Sequence, residues 1–493
     1  MTDTPRPSLL RGMLFTVATR WVDRLIGLAS TLILARLLLP DDFGVIAMAA
    51  LAVGLADVLL DMGVHVALIQ NPRATQEHYN SAWTLRLLQN SAAALLIFFC
   101  SGLIADYFVD QRIEPVLQVL ALAMFLTGLE NIGVIKFQKD LDFQSEFYFR
   151  LFRRLIGFSV TMLLAWYMQS YWAMVFGTLA GRSSGIVLSY LMHPMRPRLS
   201  TRKMREIFAV SQWMLIGNLG GYTEDNLHRI LVGRWNNTST MGEYSLADDI
   251  AAMPTTELLA PINRALFPAF VAAAHDPQEL KRLYLVAQSA QNLLALPAAI
   301  GLLIVADELV QVLLGPAWLG VAPFLQVLAL VHAGAALIAS SQYMLIVLGR
   351  IRWNVLISWM LALLFVAAAF TVIAQAPATD IAWTRFAISA GVAIVLSFTL
   401  LLLAFPALRW SDLLRTFYRP VLAGAVMALV LLWLQSALAL PVLFVLLIKC
   451  TAGALLYVFC ILALWLLAGR PAGGEAFIMQ RLLPAWHRLN RKT

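Results

Sequence analysis

Apolar runs of about 20 residues follow one another along almost the whole chain, separated by short polar connectors. Each run is long enough to cross a hydrocarbon core of roughly 30 Å as a helix. A backbone crossing such a core must satisfy its own hydrogen bonds, as a helix does, so the chain reads as an all-α polytopic membrane protein. Its composition agrees: 60% of the 493 residues are hydrophobic and only 13% charged, outside the range of soluble domains.

About fourteen spans are expected, near 12–39, 43–69, 80–104, 114–135, 149–168, 171–192, 207–233, 240–270, 284–304, 321–348, 353–375, 380–405, 417–436 and 440–468. No stretch remains for a sizeable soluble domain. The first run, interrupted by Arg20, Asp23 and Arg24, is read as a retained helix rather than a cleaved signal. The connectors assigned to one side contain Arg73, Lys136, Lys139, Lys281, Arg350 and Arg409, with a cluster from Arg196 to Arg205; those on the other side show Asp41, Asp42, Asp106, Asp110 and Asp307. Cations are retained on the cytoplasmic side, which predicts an even number of spans and both termini in the cytoplasm. The net charge of +8 is thereby explained by the loops, and no nucleic-acid partner is called for. Cys100, Cys450 and Cys460 lie in or beside apolar segments without metal-ligand spacing, so neither disulfides, a metal nor another cofactor is expected.

A shift of 198 positions aligns Ala35-Arg36 and Gly44 with Gly233-Arg234 and Gly242. Such self-similarity predicts two pseudo-symmetric six-helix bundles, 1–193 and 207–405, joined by a basic cytoplasmic linker 194–206. A further helix pair (406–468) and a basic tail (469–493) complete the expected organisation. The same shift pairs Arg20 with Asn218 but Asp57 with Thr255, so the halves differ in their embedded charges.

Those charges carry the functional reading. An uncompensated charge at mid-bilayer costs roughly 2.5–3.5 kcal/mol, so ionised residues inside spans face the protein interior or water. Arg20, Asp23, Arg24 and Gly27 share one helical face, as do Asp57, Asp61 and His65. A later span carries Asn218, Tyr222, Asp225 and Arg229 on one stripe, with Glu224 and His228 beside it; the next adds Asp248, Asp249, Glu257 and Arg264. Arg86, Arg182, Arg385 and Lys449 are isolated cations. Read as a site, they form a hydrated cavity for a polyanion, because the guanidinium fork matches phosphate. Read structurally, they tie helices together, the reading preferred for Lys449, Arg385 and Arg264. His65 and His228 suggest either proton carriers or neutral histidines bonded to a neighbouring helix. The stretch Lys136 to Arg154 reads as an amphipathic element lying in the cytoplasmic interface.

The run Leu34-Ala-Arg-Leu-Leu-Leu-Pro-Asp-Asp-Phe-Gly44, with Ala56-Asp57, Asp61-Met-Gly63 and Ala67-Leu-Ile-Gln70, resembles the opening of Wzx-like polysaccharide exporters of the multidrug/oligosaccharidyl-lipid/polysaccharide superfamily. Gln138-Lys-Asp-Leu-Asp-Phe143, Leu266-Phe-Pro-Ala-Phe270 and Leu314-Gly315 with Trp318 are similar to the same family. The resemblance implies a flippase that moves an undecaprenyl-diphosphate-linked oligosaccharide repeat unit from the cytoplasmic to the periplasmic leaflet of a bacterial inner membrane, by alternating access. It implies membrane lipids, a polymerase and chain-length proteins as partners, and a transporter rather than an enzyme. For the diphosphate and sugars the expected residues are Arg24 and Arg229, then Arg20, Arg86 and Arg182, with Asn218. For ion coupling or gating they are Asp57, Asp61, Asp225, Asp249 and His228. Three alternatives stay open. A drug/cation antiporter of the same superfamily would export dyes, and a peptidoglycan lipid-precursor flippase would sit among cell-division genes. A membrane glycosyltransferase or polymerase would need larger outside connectors than the roughly 15 residues found here.

Overall fold

A computed structural model describes residues 9–60, 63–208, 212–371, 376–437, 440–471 and 473–476; Asp61, the first eight residues and the tail from residue 477 lie outside them. Every regular element among the described residues is helical. In chain order these are α1 (Leu9–Leu37), α2 (Pro40–Leu60), α3 (Val64–Gln70), α4 (Gln76–Phe108), α5 (Ile113–Gly128), α6 (Ile135–Lys139), α7 (Phe143–Met168), α8 (Trp172–Met192) and α9 (Met204–Phe208). They continue as α10 (Gln212–Trp235), α11 (Thr238–Ala272), α12 (Pro277–Leu313), α13 (Val321–Val347), α14 (Ile351–Thr371), α15 (Ala378–Phe386), α16 (Ile394–Ala404), α17 (Trp410–Ala437) and α18 (Val442–Leu467). A π-helical stretch, Ala387–Ala393, joins α15 to α16 into one apolar rod.

Among the described residues nine helices are long and apolar enough to cross a membrane, and α5 with its bent continuation through α6 makes a tenth. The chain is a multi-pass membrane protein. Four more helices, α1, α8, α10 and α11, are 29, 21, 24 and 35 residues long and fall short only by their polarity.

Local chemistry sets the ends that matter. Asp276 accepts from the amides of Gln278 and Glu279, and Pro277 opens α12 in a position where its missing N–H is no loss. Asp142 accepts from the Ser145 amide and starts α7 at Phe143. The stretch Lys136 to Arg154 is therefore not one element: Lys136–Lys139 belong to α6, and residues 143–154 form the first three turns of a helix running unbroken to Met168. The helix before it breaks instead: α5 and the helical segment Ile132–Lys139 meet at 67°. Asn131 fills the break, fully buried, donating to the Met195 carbonyl at 2.7 Å and accepting from Gly133 N at 2.9 Å.

The chain forms two compact units, residues 1–242 and 243–493. In the first, α7 and α8 pack closely because Gly177, Gly181 and Gly185 present a bare stripe; a Cβ at Gly177 would strike Thr161, and one at Gly185 would press on the Arg153 side chain. Also within the first unit, the glycines paired by the internal echo meet reciprocally. A Cβ on Gly44 would strike the Thr238 carbonyl, and one on Gly242 would strike the Pro40 carbonyl. Pro40 and Thr238 are separated by the same 198 positions, so the first turns of α2 and α11 touch through equivalent atoms. Beside them Arg112 pairs with Asp41 and, at 2.7 Å, with Asp110. Burial would lift the Asp110 carboxyl, yet hydrogen bonds from Arg112 and Thr238 hold it below the usual carboxylate range.

In the second unit the apolar core gathers Phe270, Tyr284, Met344, Leu345, Leu401 and Leu413 from α11, α12, α13, α16 and α17. The last two helices dock on α12 through Met427, Leu431, Tyr457 and Ile461, with the Tyr457 hydroxyl donating to the Leu293 carbonyl at 3.1 Å.

Candidate functional site: a cationic cavity in the first unit

The first unit encloses a cavity of about 1070 Å³ lined from α1, α2, α3, α4, α6, α7, α8, α10 and the bend after α5. Five arginines reach it: Arg86, Arg150, Arg153, Arg154 and Arg182. Four carboxylates do so, Asp23, Asp57, Glu130 and Glu146. Cations are therefore in surplus before His65 is considered. Gln89, Asn90, Gln138 and Asn218 add amides able to donate and accept.

The pairing inside the cavity is uneven. Glu146 holds Arg150 at 2.7 Å, one turn along α7. Glu130 is 5% exposed and is shared, lying 3.1 Å from Arg86 and 3.5 Å from Arg153. Arg182 donates to the Thr127 hydroxyl at 3.0 Å. Neither Arg182 nor Arg154 has a carboxylate within bridging distance among the described residues. Two guanidinium groups thus keep unspent donors at the wall of a large polar space, a site chemically suited to an oxyanion.

Of the residues expected from the sequence, Arg86, Arg182, Asn218 and Asp57 line this cavity together. His65 does too, exchanging a hydrogen bond of 2.8 Å with Gln138. Arg20, Arg24, Arg229 and Asp225 do not, although Asp23, Ile26 and Ser30 do, so the lining stripe of α1 is rotated away from the two arginines. His228 is buried and bonded through Nε2 to the Asp225 carbonyl of its own helix at 2.9 Å. Asp249 is exposed in the second unit, and Asp61 lies outside the described residues.

Sequence reasoning missed Glu130, Glu146, Arg150, Arg153 and Arg154. The signal was present: Glu146, Arg150, Arg153, Gly157 and Thr161 recur every three or four residues, and all five line the cavity. Treating residues 136–154 as one surface element hid that stripe.

Embedded charges of the second unit are matched one against another. Lys449 is fully buried against Glu308, and Arg419 meets Glu475 at 2.8 Å. Asp248 accepts from Arg385 at 2.9 Å and lies 2.7 Å from His332, which sequence reasoning also passed over. Lys449 and Arg385 are thus helix ties, while Arg264 is exposed. Asp41 and Asp42 are committed as well: Asp41 to Arg112, and Asp42 to the amides of Leu39 and Tyr171.

The chain resembles several known proteins. The lipopolysaccharide biosynthesis protein WzxC of Escherichia coli (strain K12) is 25% identical over 310 residues, 62% of this chain and 63% of its own. The teichuronic acid biosynthesis protein TuaB of Bacillus subtilis (strain 168) is 24% identical over 299 residues, covering 60% and 62%. The succinoglycan biosynthesis transport protein ExoT of Rhizobium meliloti (strain 1021) is 23% identical over 304 residues, 60% of this chain and 61% of its own. The matched stretch thus spans less than two thirds of the length of these relatives. Among solved structures, the lipid II flippase MurJ in an inward closed conformation superposes with a TM-score of 0.71 at 12% identity, covering 92% of this chain and 99% of that one. An inward-facing MATE transporter of the MOP superfamily gives 0.61 at 13% identity over 78% and 95%. At such identities the likeness shows a shared fold. The sequence match goes further: the family described as polysaccharide biosynthesis protein covers residues 33–323, more than half of the chain, and the chain belongs to that family.

Proposed function

We propose that this protein carries an undecaprenyl-diphosphate-linked oligosaccharide from the cytoplasmic to the periplasmic leaflet of a bacterial inner membrane, for exopolysaccharide, capsule or O-antigen synthesis. The observation that supports this most is the cavity of about 1070 Å³ with five arginines set against four carboxylates, in a member of a polysaccharide biosynthesis family. A diphosphate needs cations with free donor forks, and sugar hydroxyls need amides. The isoprenoid tail can remain in the bilayer, so only the headgroup must enter. The diphosphate is assigned to Arg86, Arg153, Arg154 and Arg182, and the sugars to Gln89, Asn90 and Asn218. Coupling to an ion is assigned to Asp57 and Asp61. Arg20, Arg24, Arg229, Asp225, Asp249 and His228 receive no ligand role in this assignment.

The reading includes fourteen spans, obtained by adding α1, α8, α10 and α11 to the apolar helices, with both termini cytoplasmic and α17–α18 as an additional pair. It treats the protein as a transporter without catalysis, working beside the polymerase and chain-length proteins of its pathway. The decisive experiment is deletion of the gene followed by localisation of the lipid-linked repeat units. Repeat units held on the cytoplasmic face, released by the wild-type gene, are expected. Normal surface polysaccharide together with lost export of cationic dyes would instead favour the antiporter.

A further inference from the structure

Glu130 is the least expected member of the cavity, a carboxylate buried among the cations that an anionic ligand would need. Its position is fixed by the backbone. It stands at the bend after α5, and the next residue, Asn131, is clamped to the end of α8: its amide nitrogen donates to Ser189 Oγ at 3.0 Å and its side chain to the Met195 carbonyl at 2.7 Å. The partners are less confined. The side chains of Arg86 and Arg153 are 22% and 30% exposed, against 6% for Glu130, and both line the cavity. The carboxylate is thus the more enclosed member of the trio, carried next to a clamped residue, while the two guanidinium groups are more open to the cavity.

From this arrangement, and resting on the function proposed above, we infer that Glu130 is a built-in rival anion that sets a charge threshold for the ligand, admitting headgroups with two negative charges and refusing those with one. The physical reason is a comparison of like with like. A singly charged phosphodiester offers Arg86 and Arg153 no more than Glu130 already provides, and must also give up its own hydration. A diphosphate diester brings two charges and more acceptor oxygens, and it engages Arg154 and Arg182 at the same time. The discrimination matters because the phospholipids around the protein carry single phosphodiesters in great excess over any diphosphate-linked glycolipid. Glu130 is thus a specificity-determining residue that never needs to touch the ligand.

The test compares two probes that differ by one phosphate, farnesyl diphospho-N-acetylglucosamine and farnesyl phospho-N-acetylglucosamine, binding to the purified full-length protein in phosphatidylcholine nanodiscs. The wild type is expected to prefer the doubly charged probe by on the order of tenfold or more, the scale of one charge-assisted hydrogen bond. Glu130→Gln is expected to gain about tenfold for the singly charged probe and less for the diphosphate, which keeps Arg154 and Arg182 in either case, and so to narrow the preference, whereas Glu130→Asp, which keeps the charge, retains it. Should Glu130→Gln alone not purify, the double variant Glu130→Gln with Arg86→Gln gives the same readout, because Arg153 is then uncontested. A wild type without preference, a Gln variant that shifts both probes equally or neither, or an Asp variant with a preference as narrow as that of Gln would each overturn the inference. The two proposals fail separately. Binding with the stated preference but no transport strikes the flippase reading, and transport with an unaltered preference in Glu130→Gln strikes only this one.

Discussion

The two units both embed polar groups in membrane helices, and they do so by opposite rules. Among the described residues of the second unit each buried charge meets a partner, as in Lys449 with Glu308 and Arg419 with Glu475. Several of its neutral polar groups are bonded to one another as well. Gln288 donates to Asn292 and to the Leu337 carbonyl, Gln291 to Asn263, and Asn292 to Thr416, all but Asn263 at the core of the unit. In the first unit one carboxylate serves two arginines and two further arginines have none within reach. Matched groups hold helices together, whereas a local surplus leaves guanidinium donors open to an outside anion. Stoichiometry, more than the number of charges, separates scaffold from site.

That contrast can be broken most forcefully in the second unit. Lys449→Ala strands the Glu308 carboxylate in a dry setting and is expected to lower stability by about 3–5 kcal/mol, read as a lower unfolding temperature of the purified protein. Exchanging both partners for Met and Leu should restore most of it. A single variant as stable as wild type would mean that this pair is no tie. Arg182→Ala should do the reverse: stability within about 0.5 kcal/mol of wild type, but transport of the lipid-linked oligosaccharide reduced roughly tenfold to a hundredfold, the loss of one charge-assisted contact. Lost stability with unchanged transport would move Arg182 from site to scaffold.

The smallest effect extends the contrast to the connectors, where Asp110 is held in its charged form. Its folded pKa is depressed, so its contribution is present above the unfolded value near 3.9 and fades as pH falls through the lower folded value. Asp110→Asn should therefore cost at most about 1 kcal/mol at pH 7, after discounting for solvent screening, with the difference from wild type vanishing near pH 3 or below. A difference that persists undiminished in acid would show that packing, not charge, is what Asp110 supplies.

How far the sequence reaches differs between these regions. Apolar runs identify the helices because length and hydropathy are local properties. Arg86 and Arg182 stand out as isolated cations in apolar surroundings, and both line the cavity. Periodicity shows which residues share a face but not where the face looks. On α1 the stripe of Arg20, Asp23 and Arg24 is genuine, yet only Asp23 reaches the cavity. Asp248 and Asp249 illustrate the same limit, since a rotation of about 100° between neighbours buries the first against Arg385 and His332 and leaves the second exposed. Glu130 was invisible for another reason: its role depends on a bend fixed by Asn131 and the far end of α8, contacts separated by about sixty positions in the chain.

The mutual seating of Gly44 and Gly242 carries one more consequence. Because each backbone fills the hollow left by the other's missing side chain, even one added methyl group would push apart two segments at once, and a second could not compensate for the first. These two positions are therefore bound to a common fate: sequence drift can relax neither while the other keeps its seat. A scan of small substitutions should find both sites intolerant to the same degree, although neither glycine lines the cavity.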